Sequence, residues 1–269
     1  MKSSGAPGAN PAWDPAQYLR FGEERLRPAL DLIARIPHPG PRRVVDLGCG
    51  AGTALPVLAA RFPGAEVTGV DGSAAMLARA AETGFRVVRA DIAAWAPEAP
   101  ADVIFSNAAL HWLSGHETLF PRLLGQLAPG GVLAVQMPAM DAAPFRRLQY
   151  EVAARGPWAE RLRGVRSAPP ILAPEAYYDL LAGRAAALDL WLTEYIHVLR
   201  GGDAPSPAPH PVVQWAMGSS LRPFLDALDE RSRPAFLAAY TEAVRPHYPP
   251  RADGAVLLPF RRLFLVARV

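Results

Sequence analysis

From residue 45 to residue 52 the sequence reads Val45-Asp46-Leu47-Gly48-Cys49-Gly50-Ala51-Gly52. Glycines this dense remove side chains where a ligand must approach backbone. A helix opening beyond the loop turns free N–H groups toward an anionic or polar ligand end. Spacing then separates cofactor classes. A dinucleotide G-x-G-x-x-G counted from Gly48 needs a third glycine where Thr53 stands, and counted from Gly50 it needs one where Leu55 stands. No lysine follows, so the loop is not a P-loop. Asp71, Asp91 and Asn107 each close a short apolar run. A carboxylate at such an end offers two oxygens to hydroxyl or amino groups.

The apolar runs are the elements that position these residues. A strand at 43–47 feeds the glycine loop, and a helix follows to about 62, where Pro63-Gly64 breaks it. Strands at 66–70, 85–89, 103–105 and 132–136 follow, with a helix capped by Ser73 and another at about 117–127. Pro129-Gly130-Gly131 reads as a tight turn before the fifth strand. This alternation predicts an α/β fold with a mostly parallel sheet. The polar ends then share the carboxyl edge, where open α/β sheets bind ligands. Upstream, 14–36 has helical periodicity. Downstream, helices are expected at 141–155, 174–182 and, with breaks, 212–244, and strands at 187–199 and 255–269.

The bulk properties are those of a globular chain, 51% hydrophobic and 20% charged over 269 residues. No apolar run reaches membrane-spanning length. A cytoplasmic protein without membrane contact is expected. Cys49 is the only cysteine, which excludes an internal disulfide and argues against a thiolate metal site. The net charge of +3 comes from scattered arginines, with Lys2 the sole lysine, so no nucleic-acid partner is expected.

The segment Asp46–Gly52 resembles the first motif of class I S-adenosylmethionine-dependent methyltransferases, and Asp71, Asp91 and Asn107 fall where that family ends its next three strands. The resemblance implies a Rossmann-like, seven-stranded sheet with an antiparallel last strand and helical cap insertions. It also implies S-adenosylmethionine as cofactor. Asp46, Gly48, Gly50, Gly52 and Gly72 would shape its berth. Asp71 would accept from the ribose hydroxyls, and Asp91 from the adenine amino group. Ile92 and Met76 would press on the adenine, and the main chain near Asn107 would meet the methionine amino group. Further motifs are similar to trans-aconitate 2-methyltransferases: Trp13-Asp14-Pro15-Ala16-Gln17-Tyr18, Ser106-Asn107-Ala108-Ala109-Leu110-His111-Trp112-Leu113, Val135-Gln136-Met137-Pro138, Ala176-Tyr177-Tyr178-Asp179 and Leu221-Arg222-Pro223. One stretch departs: where that family continues with Asp-Asn and then Pro, a small hydroxyl residue and His, this chain has Ala139-Met140 and Pro144-Phe145-Arg146.

One domain over 1–269 is expected: a flexible tail to 12, a lid helix at 13–37, a cofactor core at 43–137, and caps at 139–172 and 200–248 around the final strands. A carboxylic acid, whose ordinary pKa is about 4, is already an anion at neutral pH, so methylating it needs orientation and no base. Arginines can clamp the carboxylates that do not react. Arg25, Arg27, Arg222 and Arg262 are the candidates, with Tyr177 and Tyr178 as hydroxyl donors. Trp13 and Tyr18 would close over the cofactor. His111 would contact the acceptor, or serve as base if the acceptor is a hydroxyl or amine. Trp95, Trp158, Trp191 and Trp215 are assigned to packing. A module that binds cofactor without catalysis remains an alternative.

Overall fold

The computed structural model describes residues 22–201 and 210–269. Its centre is β1 (Arg43–Leu47), apolar beyond its first residue except for Asp46, as a strand covered on both faces requires. It pairs in parallel with β2 (Glu66–Asp71) on one side and β4 (Ala101–Asn107) on the other. β3 (Arg86–Arg89) extends the sheet beyond β2, and β5 (Leu127–Pro138) extends it beyond β4. β6 (Ala187–Leu199) and β7 (Val256–Arg268) complete it, with β7 antiparallel to both β5 and β6. The order is β3-β2-β1-β4-β5-β7-β6. Strand order reverses between β1 and β4, and the crevice outside their carboxyl ends is where such sheets take ligands.

Helices cover both faces. α1 (Gly22–Ala34), α2 (Leu55–Arg61) and α3 (Ala74–Ala81) belong to one face, where Leu32, Ile33, Leu55 and Leu58 pack with Val44, Phe105 and Phe264. α4 (His116–Leu124) and α6 (Pro174–Leu181) belong to the other, with Phe120, Leu123 and Tyr177 against Ile104, Leu133 and Leu265. A third core joins α5 (Pro144–Ala153), α7 (Pro211–Met217), α8 (Arg222–Ala227) and α9 (Ser232–Val244) to the start of β7, through Phe145, Trp215, Phe224, Phe236, Tyr240 and Leu258. No helix among the described residues is long and apolar enough to cross a membrane.

Several boundaries differ from the sequence reading or were left open by it, and two have a clear local cause. α2 starts at Leu55 because Gly52 holds φ at +78° and Pro56 starts the helix beyond it. β5 starts at Leu127, so Pro129-Gly130-Gly131 lies within the strand. A Cβ on Gly131 would stand 2.7 Å from the Ala128 carbonyl oxygen, so glycine is what lets the strand bend there.

Candidate functional site

The glycine loop is fastened at both ends. Gly48 and Cys49 donate their N–H groups to the Val70 carbonyl at 2.7 and 3.0 Å, and the buried Ser106 hydroxyl donates to the Leu47 carbonyl at 2.7 Å. Gly50 N–H donates to Asp71 Oδ2 at 2.9 Å, and Ser73 N–H to Asp71 Oδ1 at 2.8 Å. Asp71 therefore ties the loop to the start of α3, where Ser73 caps the helix by accepting from Met76 N–H. Each carboxylate oxygen keeps a further lone pair. A Cβ on Gly48, at φ +84°, would stand 2.2 Å from the Ala109 Cβ, so the loops after β1 and β4 touch only because that side chain is missing. Among the described residues nothing lies within 4 Å of where a Cβ on Gly50 would stand, so that side of the loop is open to a ligand. Gly48→Ala is expected to cost about 2–4 kcal/mol, from left-handed strain plus overpacking. A thermal melt of the purified variant reads it, and an unchanged Tm would contradict this packing.

Around the loop lie the other cofactor candidates. Met76 is buried, and Ile92 is half-buried with its Cδ1 3.7 Å from where a Gly48 Cβ would stand. Gly72 is exposed at the mouth, as is Asp91, whose Oδ1 accepts from Ala93 N–H at 2.9 Å. The Asn107 Oδ1 is buried with no hydrogen-bond partner among the described residues. Burial holds the Cys49 thiol well above its ordinary range, with Asp46 and Asp71 adding to the rise, so it is inert.

Asp46 is fully enclosed; its burial, and then the charge of Asp71, push its pKa up to about 8. The native state thus keeps a proton that the unfolded chain loses near pH 4, and the contribution of Asp46 to stability falls as pH rises from there toward 8. Asp46→Asn removes this dependence. The wild type is expected to lose stability relative to the variant between pH 5 and pH 8, by at most ~1.4 kcal/mol per pH unit. Parallel melts of the two proteins across that range measure it; curves that stay parallel would contradict the raised pKa.

Beyond the end of β4 the chain turns sharply. Ala108 has φ +52°, the only non-glycine residue among those described with a positive φ, and a 3₁₀ turn at Leu110–Trp112 carries His111. His111 lines a small chamber of about 90 Å³ with Met140, Asp141, Arg146, Trp215 and Ser220. Its Nδ1 is buried without a hydrogen-bond partner among the described residues. Burial first, then Arg146, Arg262 and His116, drive its pKa down to about 3, so the ring is neutral at physiological pH. Arg146 is itself buried, donating to the Ser167 hydroxyl and, at longer range, to Ala168 O at 3.4 Å and Asp141 Oδ1 at 3.5 Å. Arg262, also buried, lies behind Phe260, with its guanidinium 4.6 Å from that ring and 3.3 Å from Gln136 Oε1. Phe260 lines the chamber.

A family model described as a methyltransferase domain matches residues 18–170. A trans-aconitate 2-methyltransferase from Methylobacterium radiotolerans is 51% identical over 261 residues, covering 95% of this chain and 98% of that one. One from Azoarcus sp. is 49% identical over 259 residues, covering 96% and 99%. The chain belongs to the trans-aconitate 2-methyltransferase family. Solved structures show the same fold at much lower identity. YcgJ protein from Bacillus subtilis aligns with TM-score 0.57 at 13% identity, over 90% of this chain and 98% of that one. Phosphoethanolamine N-methyltransferase 2 from Haemonchus contortus, in complex with S-adenosyl-L-methionine, aligns with TM-score 0.51 at 16% identity, over 90% of this chain and 52% of that one.

In this methyltransferase the acceptor-side residues are placed unevenly. Arg262 lies next to the chamber. Tyr177 corrects the sequence reading: it is wholly buried, and its hydroxyl lies 2.6 Å from His116 Nδ1. His116 Nε2 lies 3.0 Å from the Leu110 carbonyl oxygen, so a proton there leaves Nδ1 to accept from Tyr177. Tyr177 therefore anchors the turn that carries His111 and supplies no donor to the chamber. Tyr178 is 55% exposed on α6 and does not line the chamber. Arg27 is exposed, with its guanidinium 5.3 Å from the Tyr195 ring centre, and Arg222 pairs with Asp226 at 3.5 Å; neither lines the chamber. Trp13, Tyr18 and the side chain of Arg25 lie outside the described residues. Trp215, expected only to pack, lines the chamber. Sequence reasoning missed Arg146 as a site residue; its one signal was its place in the divergent stretch 144–146.

Proposed function

We propose that this chain is an S-adenosylmethionine-dependent methyltransferase that forms a methyl ester on a small polycarboxylate, trans-aconitate or a close analogue. The observation that carries the acceptor class is the pair of buried guanidiniums, Arg146 and Arg262, whose charge helps keep His111 neutral. Such a chamber favours an anion. A carboxylate needs no deprotonation, and a ring with a pKa of about 3 is a poor proton acceptor at neutral pH.

The residues at the crevice fit the cofactor. Gly50 faces open space beside the free lone pairs of Asp71, and the buried Asn107 Oδ1 waits for a donor. In this reading Gly48, Gly50, Gly52 and Gly72 border the nucleoside, Asp71 takes the ribose hydroxyls and Asp91 the adenine amino group. Ile92 and Met76 flank the adenine, the main chain near Asn107 meets the methionine ammonium, and Asp46, enclosed and protonated behind the loop, supports that end of the berth from inside. When bound, S-adenosylmethionine supplies an electrophilic methyl group on a sulfonium. The chain's own residues hold the acceptor in line with it and keep water out. Segments 139–172 and 200–248 serve as the cap, and 13–37 as the lid.

The test pairs two measurements. Calorimetry with S-adenosylhomocysteine is expected to show binding. Incubation with S-adenosylmethionine and trans-aconitate is expected to yield a mono-ester detected by mass. Turnover of a phenol or amine, with none of any polycarboxylate, would overturn the acceptor class. The His111 Nδ1, without a partner among the described residues, is what favours that second reading, in which the acceptor is neutral and needs a base.

A further inference from the structure

Arg146 is poorly matched for a buried cation. A guanidinium carries five N–H donors in a planar fork suited to a carboxylate. Here its strong contact is a neutral hydroxyl, that of Ser167. The Ala168 carbonyl and the Asp141 carboxylate are reached only at 3.4 and 3.5 Å. The side chain of Arg146 is 10% exposed, whereas that of Asp141 is 42% exposed. The two ions thus differ in freedom. Arg146 is fixed by α5 and by Ser167, whose own N–H donates to the Tyr150 hydroxyl at 3.2 Å. Asp141 lines the same chamber, and its half-exposed carboxylate has water within reach. A buried cation whose one anionic partner is distant and half exposed is a receptor for a better one, because a bidentate carboxylate supplies the close charge and the paired geometry that a hydroxyl, a carbonyl and a 3.5 Å contact do not.

We infer that Arg146 is the berth for an acceptor carboxylate other than the one that is methylated, and that Asp141 is its exchangeable counter-ion, turning to water when that carboxylate arrives. The inference rests on the polycarboxylate reading above. It assigns specificity to a pair of side chains in the stretch where the sequence departs from its family's pattern. Asp141 then competes with the acceptor. Removing its charge strengthens acceptor binding, and removing Arg146 weakens it.

The test uses the full chain with saturating S-adenosylmethionine and trans-aconitate. Arg146→Gln is expected to raise KM by about 30- to 300-fold, the usual loss when a carboxylate loses its charged fork, with kcat changed far less. Asp141→Asn is expected to lower KM by about three- to tenfold, a modest gain suited to a weak, half-exposed pair. In the double variant the gain from Asp141→Asn disappears, since it exists only while Arg146 is there to be competed for. Arg146→Lys, which keeps the charge without the fork, falls between wild type and Arg146→Gln and serves if the latter does not fold. Calorimetry with S-adenosylhomocysteine shows that the cofactor side is intact in each. A rise in KM from Asp141→Asn would make that residue a support for Arg146 and overturn the exchange. An equal gain from Asp141→Asn with or without Arg146 would reduce its effect to general repulsion and overturn it too. A wild type that esterifies no polycarboxylate removes the parent reading; a wild type that does, with Arg146→Gln unchanged in KM, removes this inference alone.

Discussion

Arg262→Met is expected to lower kcat/KM for a polycarboxylate acceptor by about 100- to 1000-fold, the loss typical of removing one partner from a buried ionic contact. Methionine keeps much of the apolar stem, so the faces of Phe260 and Tyr195 now covered by the guanidinium stay covered. The loss then reports charge and not collapse, and S-adenosylhomocysteine affinity should move by less than the uncertainty of calorimetry. The matching variant is His111→Ala. A neutral imidazole offers the acceptor at most a hydrogen bond of about 1 kcal/mol, so its loss should cost less than about tenfold. Steady-state kinetics on the two variants discriminate the acceptor classes by their order. If His111→Ala abolishes turnover and Arg262→Met is mild, the acceptor is neutral and the imidazole is its base.

The cofactor side was legible in the sequence because its elements are local. β1, β2 and β4 are short, mostly apolar runs, and each is closed or followed by a polar residue or glycine, Gly48, Asp71 and Asn107. Residues 187–199 were legible from their β-forming residues, Leu190, Leu192, Tyr195 and Val198, but which side faces out was not, because the exposed side carries the apolar Leu192, Ile196 and Val198. What stayed hidden depends on contacts between distant segments. The need for glycine at 48 comes from Ala109, after a different strand. Arg146 reads as a solvated position on an amphipathic helix, and it is buried by Ser167 and the chamber wall contributed by α7. The hydroxyl of Tyr177 suits a ligand as well as a core, and only the position of His116 decides between them. Among the arginines, sequence could nominate four but not rank them, because an ion pair such as Arg222–Asp226 and a cation resting on an aromatic ring both satisfy the same residue type.

Asp71→Ala is expected to lower affinity for S-adenosylhomocysteine by about 100- to 1000-fold, because charge-assisted hydrogen bonds of roughly 1.5–3 kcal/mol each are lost toward two hydroxyls. The size of the effect also depends on the second task of Asp71. Its two oxygens hold Gly50 N–H and Ser73 N–H, so the variant frees the loop that must lie flat against the ligand and the first turn of α3 together. Asp71→Asn separates the tasks only partly. One of its two positions becomes an NH2 group that faces an N–H donor, so either the Gly50 or the Ser73 contact turns repulsive. The amide should therefore bind nearly as poorly as alanine, although its shape is conserved. It also removes the charge that helps raise the pKa of Asp46, so Asp46 ionises at lower pH in Asp71→Asn than in the wild type. Calorimetry on the three proteins, with melts at pH 5 and pH 8, reads both consequences. Affinity within tenfold of wild type in Asp71→Ala would mean that the ribose is held elsewhere, and the crevice at the ends of β1 and β2 would lose its claim to the cofactor.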